Sequence, residues 1–144
     1  MDYTVIDDQA ERGMFLVQLA CGNVLKSIEY ENALFSLYQR NDDEYTGGLW
    51  TMMQFNNGAR AMVYDMESDR KIDVPAQQNY FKGEMTPLAL SLALNMFVCS
   101  HMSFDAASGH AAQSFGENYQ LLRVAIFNDE STCKEVPAIA GFLD

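Results

Sequence analysis

Basic residues are scarce in this chain. Nine Lys and Arg stand against 20 Asp and Glu, a net charge of −11 over 144 residues. That balance argues against a binder of nucleic acid or anionic membrane that works through a basic face. It leaves open a partner that itself binds nucleic acid and accepts a negative surface. Cysteine is scarce too: Cys21, Cys99 and Cys133 lie far apart, form no C-x-x-C pair and are odd in number. Free thiols in a reducing compartment fit this better than a disulfide scaffold. The only histidines, His101 and His110, have no cysteine at ligand spacing, so no metal site is expected. Long apolar runs are also missing. Polar residues interrupt the stretch from Met85 to Phe104, at Ser91, Asn95 and Ser100 among others, and its runs fall far below the ~18 residues of a membrane span. The N-terminus carries acids where a secretory signal needs bases and then an apolar run. A cytoplasmic protein without membrane contact is the expectation. No repeat, low-complexity tract or Pro/Ser-rich linker interrupts the chain, so one domain over 1–144 is expected.

With 49% hydrophobic and 12% aromatic residues, the chain can build a core. The clearest local signal is 45–65, which reads as two strands over about 49–56 and 59–64. Asn57-Gly58 between them predicts a type I′ hairpin, which needs positive φ at both central residues. Gly47-Gly48 precede Trp50, the only tryptophan, and suggest a flexible or close-packed entry to the first strand. Both faces of that strand are largely apolar, as in a central strand covered on each side. Lys71–Val74 reads as a third strand and Tyr80–Gly83 as a short fourth. Before the hairpin, the periodicity predicts helices over 10–21, with Met14, Phe15, Leu16, Leu19 and Ala20 inward, and over 29–40. Gly22-Asn23 would end the first of these. After it, Thr86-Pro87 start a core helix apolar nearly all round, with Phe97 on its apolar surface. Helices over about 105–127, capped by Asp105, and 136–143 follow. Helices, three or four meandering strands, then helices is an α+β order: a small antiparallel sheet packed with N-terminal and C-terminal helices.

Groups capable of chemistry are few. Ser100-His101 and Ser108-Gly109-His110 bring a hydroxyl and an imidazole together, outside any G-x-S-x-G elbow. A hydrolase using Ser100 or Ser108 with His101 or His110 is therefore a minor reading. The carboxylate pairs Asp7-Asp8, Asp42-Asp43-Glu44 and Asp129-Glu130 fall in polar turns and read as solvated faces. Gly47-Gly48 and Gly58 belong to no phosphate-binding motif. Met52, Met53, Met62 and Met66 near the hairpin read as core filling first and as an adaptable contact surface second. No catalytic, cofactor-binding or metal-binding residue is assigned.

Particular residues carry the reading further. Tyr45-Thr46-Gly47-Gly48-Leu49-Trp50, then Asn56-Asn57-Gly58, then Met62 and Tyr64, resemble the Y-x-G-G-x-W hairpin of the ArdB/KlcA antirestriction family. Val5 to Arg12 is similar to that family's opening, with Ile6 where proline is frequent. Tyr80-Phe81-Lys82-Gly83-Glu84-Met85 is similar to its step into the C-terminal helices. The resemblance implies an α+β protein of plasmids, phages or genomic islands that relieves type I restriction-modification in the host cytoplasm, without cofactor or catalysis. Its partner would be the type I restriction-modification system, met directly or indirectly, with no direct nucleic-acid binding. One implied mechanism is DNA mimicry, with carboxylates imitating the phosphates. Here the acids come in short separated clusters with bases among them, which favours an indirect or protein-contact mechanism. Asp42, Asp43, Glu44 and Tyr45 form the candidate interaction surface. Gly47, Gly48, Trp50, Asn57, Gly58, Gly83 and Glu84 are the structural residues of the motifs.

Overall fold

Short polar side chains start the helices. Asp8 accepts the Glu11 N–H at 3.0 Å, Asn23 the Lys26 N–H at 3.1 Å and Thr86 the Ala89 N–H at 3.3 Å. Each satisfies a first-turn donor that has no partner inside its helix. The computed structural model describes residues 2–74, 83–105, 107, 109–128 and 136–143. Within them the chain runs β1 (Tyr3–Val5), α1 (Gln9–Leu19), α2 (Val24–Asn41), β2 (Trp50–Phe55), β3 (Arg60–Tyr64), β4 (Ile72–Val74) and β5 (Gly83–Met85). Then come α3 (Pro87–Met102), α4 (His110–Phe127) and α5 (Val136–Leu143). The class is α+β, as expected. The strands divide into two antiparallel sheets, β1-β2-β3 and β4-β5. β2 is the central strand, with Trp50, Met53 and Phe55 buried.

Several local expectations change. Asn57-Gly58 closes the hairpin, but not as a two-residue type I′ turn. Phe55 O accepts the Gly58 N–H at 2.9 Å, and Phe55 N donates to Ala59 O at 2.8 Å. The loop is thus residues 56–58, and of these only Gly58 has positive φ, at +93°. This is the three-residue pattern, a turn finished by a left-handed glycine. Asn57 is held outside that geometry: its Nδ2 donates to Leu121 O on α4 at 2.8 Å, and its Oδ1 accepts the Ala59 N–H at 3.0 Å. At the end of α1, Cys21 and Gly22 take the left-handed turn with φ of 54° and 85°, while Asn23 caps α2. α2 therefore begins five residues before its apolar periodicity shows, because Val24, Leu25 and Ile28 in its first turns are exposed. Asp105 does not cap α4. It accepts the Ala107 N–H at 3.2 Å and pairs with Lys26 at 2.7 Å, and the helix starts at His110 behind Gly109. Met14 and Phe97, expected inward, face solvent. β1 has no counterpart in the sequence reading. Residues 80–82 of the expected fourth strand lie outside the described residues, and its Gly83 opens β5.

The division into two sheets has a cause at the outer edge of β3. Antiparallel pairing alternates, so Ala61 and Val63 turn their backbone groups toward β2, and Arg60, Met62 and Tyr64 turn theirs away. Side chains meet those outward groups. Asn118 of α4 accepts the Arg60 N–H at 2.8 Å and donates to Arg60 O at 2.9 Å. Asn95 of α3 accepts the Met62 N–H at 3.1 Å and donates to Met62 O at 2.7 Å. Ser91 Oγ accepts the Tyr64 N–H at 3.0 Å. All three side chains are buried. An asparagine amide presents a donor and an acceptor, like a strand's backbone, so Arg60 and Met62 are paired at both groups and Tyr64 at its N–H, and β4 pairs with β5 instead. The network continues inward. Tyr30 OH of α2 donates to Asn95 Oδ1 at 2.7 Å, the Cys99 thiol donates to Tyr30 OH at 3.6 Å, and Asn118 Nδ2 donates to Cys99 Sγ at 3.3 Å. Tyr30 stacks on Phe115 of α4, centroids 5.6 Å apart. Burial pushes the Tyr30 phenol well above its ordinary value and the Cys99 thiol up to about 11, both kept neutral.

The Asn95→Leu variant orphans the buried N–H and C=O of Met62. At about 1–3 kcal/mol for each stranded group, urea denaturation should report a loss of roughly 2–6 kcal/mol. A loss below about 1 kcal/mol would show that the edge does not depend on this amide.

Candidate functional site

The expected interaction surface lies where α2 ends and the chain crosses to β2. Asn41 closes the helix, and its Nδ2 donates back to Leu37 O at 2.7 Å. Asp42 leaves the helix with its N–H on Tyr38 O, which turns its side chain inward. It was expected in a solvated acidic turn, yet it is only 2% exposed. Arg70, from the loop before β4, grips both carboxylate oxygens, Nη1 to Oδ1 at 2.9 Å and Nη2 to Oδ2 at 2.7 Å. Tyr38 OH donates to Oδ2 at 2.9 Å and the Glu44 N–H to Oδ1 at 3.1 Å. A buried carboxylate is stable only with such a set of donors. Burial alone raises the Asp42 carboxyl, but the bonds from Arg70, Tyr38 and the Glu44 amide outweigh it and hold it below its ordinary value. Burial, reinforced by the bond to Asp42, pushes the Tyr38 phenol far up.

Around this anchor the rings of Tyr38, Tyr45, Trp50 and Tyr64 pack edge-on or tilted, with centroids 4.7–6.3 Å apart. Phe35 covers Trp50 at 4.9 Å. Trp50 Nε1 donates to Tyr45 OH at 3.3 Å, and Tyr64 OH donates to Gly47 O at 2.9 Å. Gly47 and Gly48 have φ of 85° and 124°, a path that L side chains rarely follow. A Cβ on Gly47 would meet nothing within 4 Å, and on Gly48 only Tyr64 at 3.8 Å. The glycines therefore serve the loop's path. They are neither a close-packed entry nor a phosphate cradle, and the bond from Tyr64 tethers them. The result is a braced loop that displays Asp43, Glu44 and Leu49 outward. Leu49 is 80% exposed, and Glu44 reaches back to Arg70 at 3.1 Å.

Of the predicted surface, Asp43 and Glu44 are exposed, Tyr45 is half-buried in the ring cluster and Asp42 is internal. The sequence reading missed Arg70, which sits 28 residues from Asp42 and carries no local signal, and Leu49, whose exposure no periodicity announces. Gly83 and Glu84 lie in β5, away from this loop in the chain, with Glu84 exposed and paired across the sheet with Asp73. Of the methionines near the hairpin, Met53 and Met62 are buried and Met52 and Met66 are partly buried against the core. Ser100 and His101 form no dyad: His101 lies exposed against Phe97 at 6.3 Å, and no hydrogen bond joins the two. Ser108 lies outside the described residues, as do Asp129 and Glu130. Among the described residues no three His, Cys, Asp or Glu side chains are placed to hold a metal.

A sequence model of antirestriction proteins matches residues 43–137, which begins at the exposed end of this loop and takes in more than half of the chain. An uncharacterised protein of Escherichia coli K12, YfjX, is 30% identical over 80 residues, which are 56% of this chain and 53% of that protein. The chain thus spans about half the length of that curated relative. The solved structure of the KlcA and ArdB proteins is similar across the whole of this chain and 96% of its own, with a TM-score of 0.77 at 21% identity. Those proteins are described as having a novel fold, with antirestriction activity against type I DNA restriction systems in vivo but not in vitro. At that identity the likeness establishes the fold.

Two stability experiments follow from the anchor and the rings. The folded Asp42 carboxyl binds its proton more weakly than the unfolded one, near 3.9, so its contribution is present above about pH 4 and lost as pH falls through the lowered folded value. Asp42→Asn should cost roughly 2–3 kcal/mol at neutral pH, below the value for a fully buried pair because the Arg70 side chain is 26% exposed. It should also flatten the fall in stability below about pH 4 measured by denaturant titration. Trp50→Ala should lose about 3–5 kcal/mol, since Trp50 is 4% exposed. A well-folded Trp50→Ala protein that lost only activity would instead place the indole in a contact surface.

Proposed function

Because this chain belongs to the antirestriction protein family, we propose that it relieves type I restriction of incoming plasmid or phage DNA. It acts in the host cytoplasm as one antirestriction-like domain, without catalysis or cofactor, by contact with a protein. The observation that carries the contact mechanism is the braced loop, where a fully displayed Leu49 stands beside Asp43 and Glu44 on a base of packed rings. A rigid apolar tip with polar neighbours loses little entropy on binding, which is what a protein-recognition surface requires. That the KlcA and ArdB proteins act in vivo but not in vitro supports a route through a further host component rather than direct seizure of the restriction enzyme.

The alternative, an acidic DNA mimic that fills the enzyme's DNA groove, draws support from the net charge of −11. Four of the acids are engaged within the fold, two to each of two cations. Asp42 and Glu44 share Arg70, and Glu29 and Asp105 share Lys26. A mimic needs its carboxylates free and evenly spaced. Direct, strongly salt-dependent binding to the purified restriction complex would favour mimicry over the contact mechanism.

The test is the plating efficiency of unmodified phage on a type I restricting strain. Expression of the chain should raise it, and unchanged restriction would refute the proposal. The triple variant Asp43→Ala, Glu44→Ala, Leu49→Ala should keep the melting temperature of the parent. It should lose about tenfold or more of the relief, which corresponds to ~1.4 kcal/mol of binding. Full relief by that variant would move the contact surface elsewhere.

A further inference from the structure

Among the described residues, β1 leaves one edge of the three-stranded sheet open. Ile6 N donates to Met52 O at 2.9 Å and Asn56 N to Asp2 O at 3.0 Å. The alternation then turns Thr4 toward β2, and the N–H and C=O of Tyr3 and Val5 outward. The opposite edge of this sheet is closed by Asn95, Asn118 and Ser91. No side chain does the same for Tyr3 and Val5 among the described residues, and both residues are exposed. Beside this edge runs a groove of about 630 Å³. Tyr3, Val5, Met66 and Leu88 supply its apolar surface, and Asp65 and Glu67 stand exposed in its wall.

We propose that this edge and groove form a docking site for an extended segment of a basic protein partner, which adds a strand to β1. The incoming strand would exchange backbone hydrogen bonds with Tyr3 and Val5. Its alternate apolar side chains would enter the groove, and its Lys or Arg side chains would meet Asp65 and Glu67. Charge selects the occupant. Asp2, Asp7 and Asp8 flank β1 in the chain and Asp65 and Glu67 line the groove, so a basic segment is attracted at both ends. A second copy of this chain is the poorer occupant, because pairing β1 with β1 gathers the same acids of both copies. With only three residues in β1, few hydrogen bonds are available, and the groove must supply the rest of the recognition. The site shares no residue with the loop Asp43–Leu49 and does not rest on restriction relief.

The probe is the capped heptapeptide Lys-Val-Thr-Val-Thr-Val-Lys, added to the ¹⁵N-labelled full chain and followed by NMR. Two controls accompany it, a copy with Glu at both ends and a copy N-methylated at its valines. The Tyr3, Val5, Met66 and Glu67 amides should shift, and exchange of the Tyr3 and Val5 amide hydrogens should slow. The acidic copy should bind about tenfold more weakly, and the methylated copy, which cannot pair with the edge, should not bind. Val5→Pro removes one outward donor at a position where an edge strand tolerates proline, and should abolish the slowed exchange at Tyr3. Glu67→Lys, at an exposed site, should invert the preference between the basic and acidic peptides. No shift at millimolar basic peptide, or equal binding of all three peptides, overturns the proposal. So does a concentration-dependent shift of Tyr3 and Val5 without peptide, which would make a second copy the occupant.

Discussion

Among the described residues no strand neighbours the outer edge of β3, and side chains from two helices meet its backbone instead. Asn118 and Asn95 satisfy both outward groups of Arg60 and Met62, and Ser91 the N–H of Tyr64. Much of the fold depends on this substitution. It ends the sheet after β3 and leaves β4 to pair with β5. It holds α3 and α4 at fixed positions along the strand, since each asparagine reaches only one residue's pair of groups. Through the bond from Tyr30 to Asn95 it draws in α2 as well. Buried polar networks of this kind specify a single arrangement because every alternative strands a donor or an acceptor.

The same constraint reaches the candidate site. Ser91 holds the backbone of Tyr64, and Tyr64 holds the carbonyl of Gly47 through its hydroxyl. The Asp42–Arg70 pair adds a second brace by tying the end of α2 to the loop before β4. Between them, a segment of short polar residues and glycines becomes a displayed loop of defined shape. The acids divide into two roles that composition cannot separate. Asp42 is an internal anchor that is satisfied by four donor contacts, whereas Asp43 and its neighbours face water. The chain belongs to the antirestriction protein family, and this loop is the surface proposed for its contact.

How much was legible in the sequence varies with the range of the interaction responsible. The start of the core helix at Thr86-Pro87, the body of the helix over 29–40 and the positions of β2 and β3 are legible from caps, periodicity and the hairpin signal, whereas the first five residues of α2 are not. Trp50 was rightly expected in the core. The turn at Asn57-Gly58 was placed correctly but given the wrong type, because Leu121 of α4 engages Asn57 from 64 residues away. Asp105 looked like a cap until Lys26 claimed it. β1 was invisible, since three exposed residues among acids leave no periodic trace.

The sequence by itself determined the α+β class, most element positions, the absence of a recognisable catalytic motif and the family resemblance through the Tyr45–Trp50 motif. These rest on local propensity, periodicity and motif order, which are properties of neighbouring residues. Only the tertiary structure decided which acid is buried, which apolar residue is displayed and which sheet edge stays open. Each of those outcomes depends on partners distant in the chain, Arg70 for Asp42 and Asn95 for Met62. Burial and hydrogen-bond satisfaction are decided by what the folded chain brings alongside, and no window of sequence contains both halves.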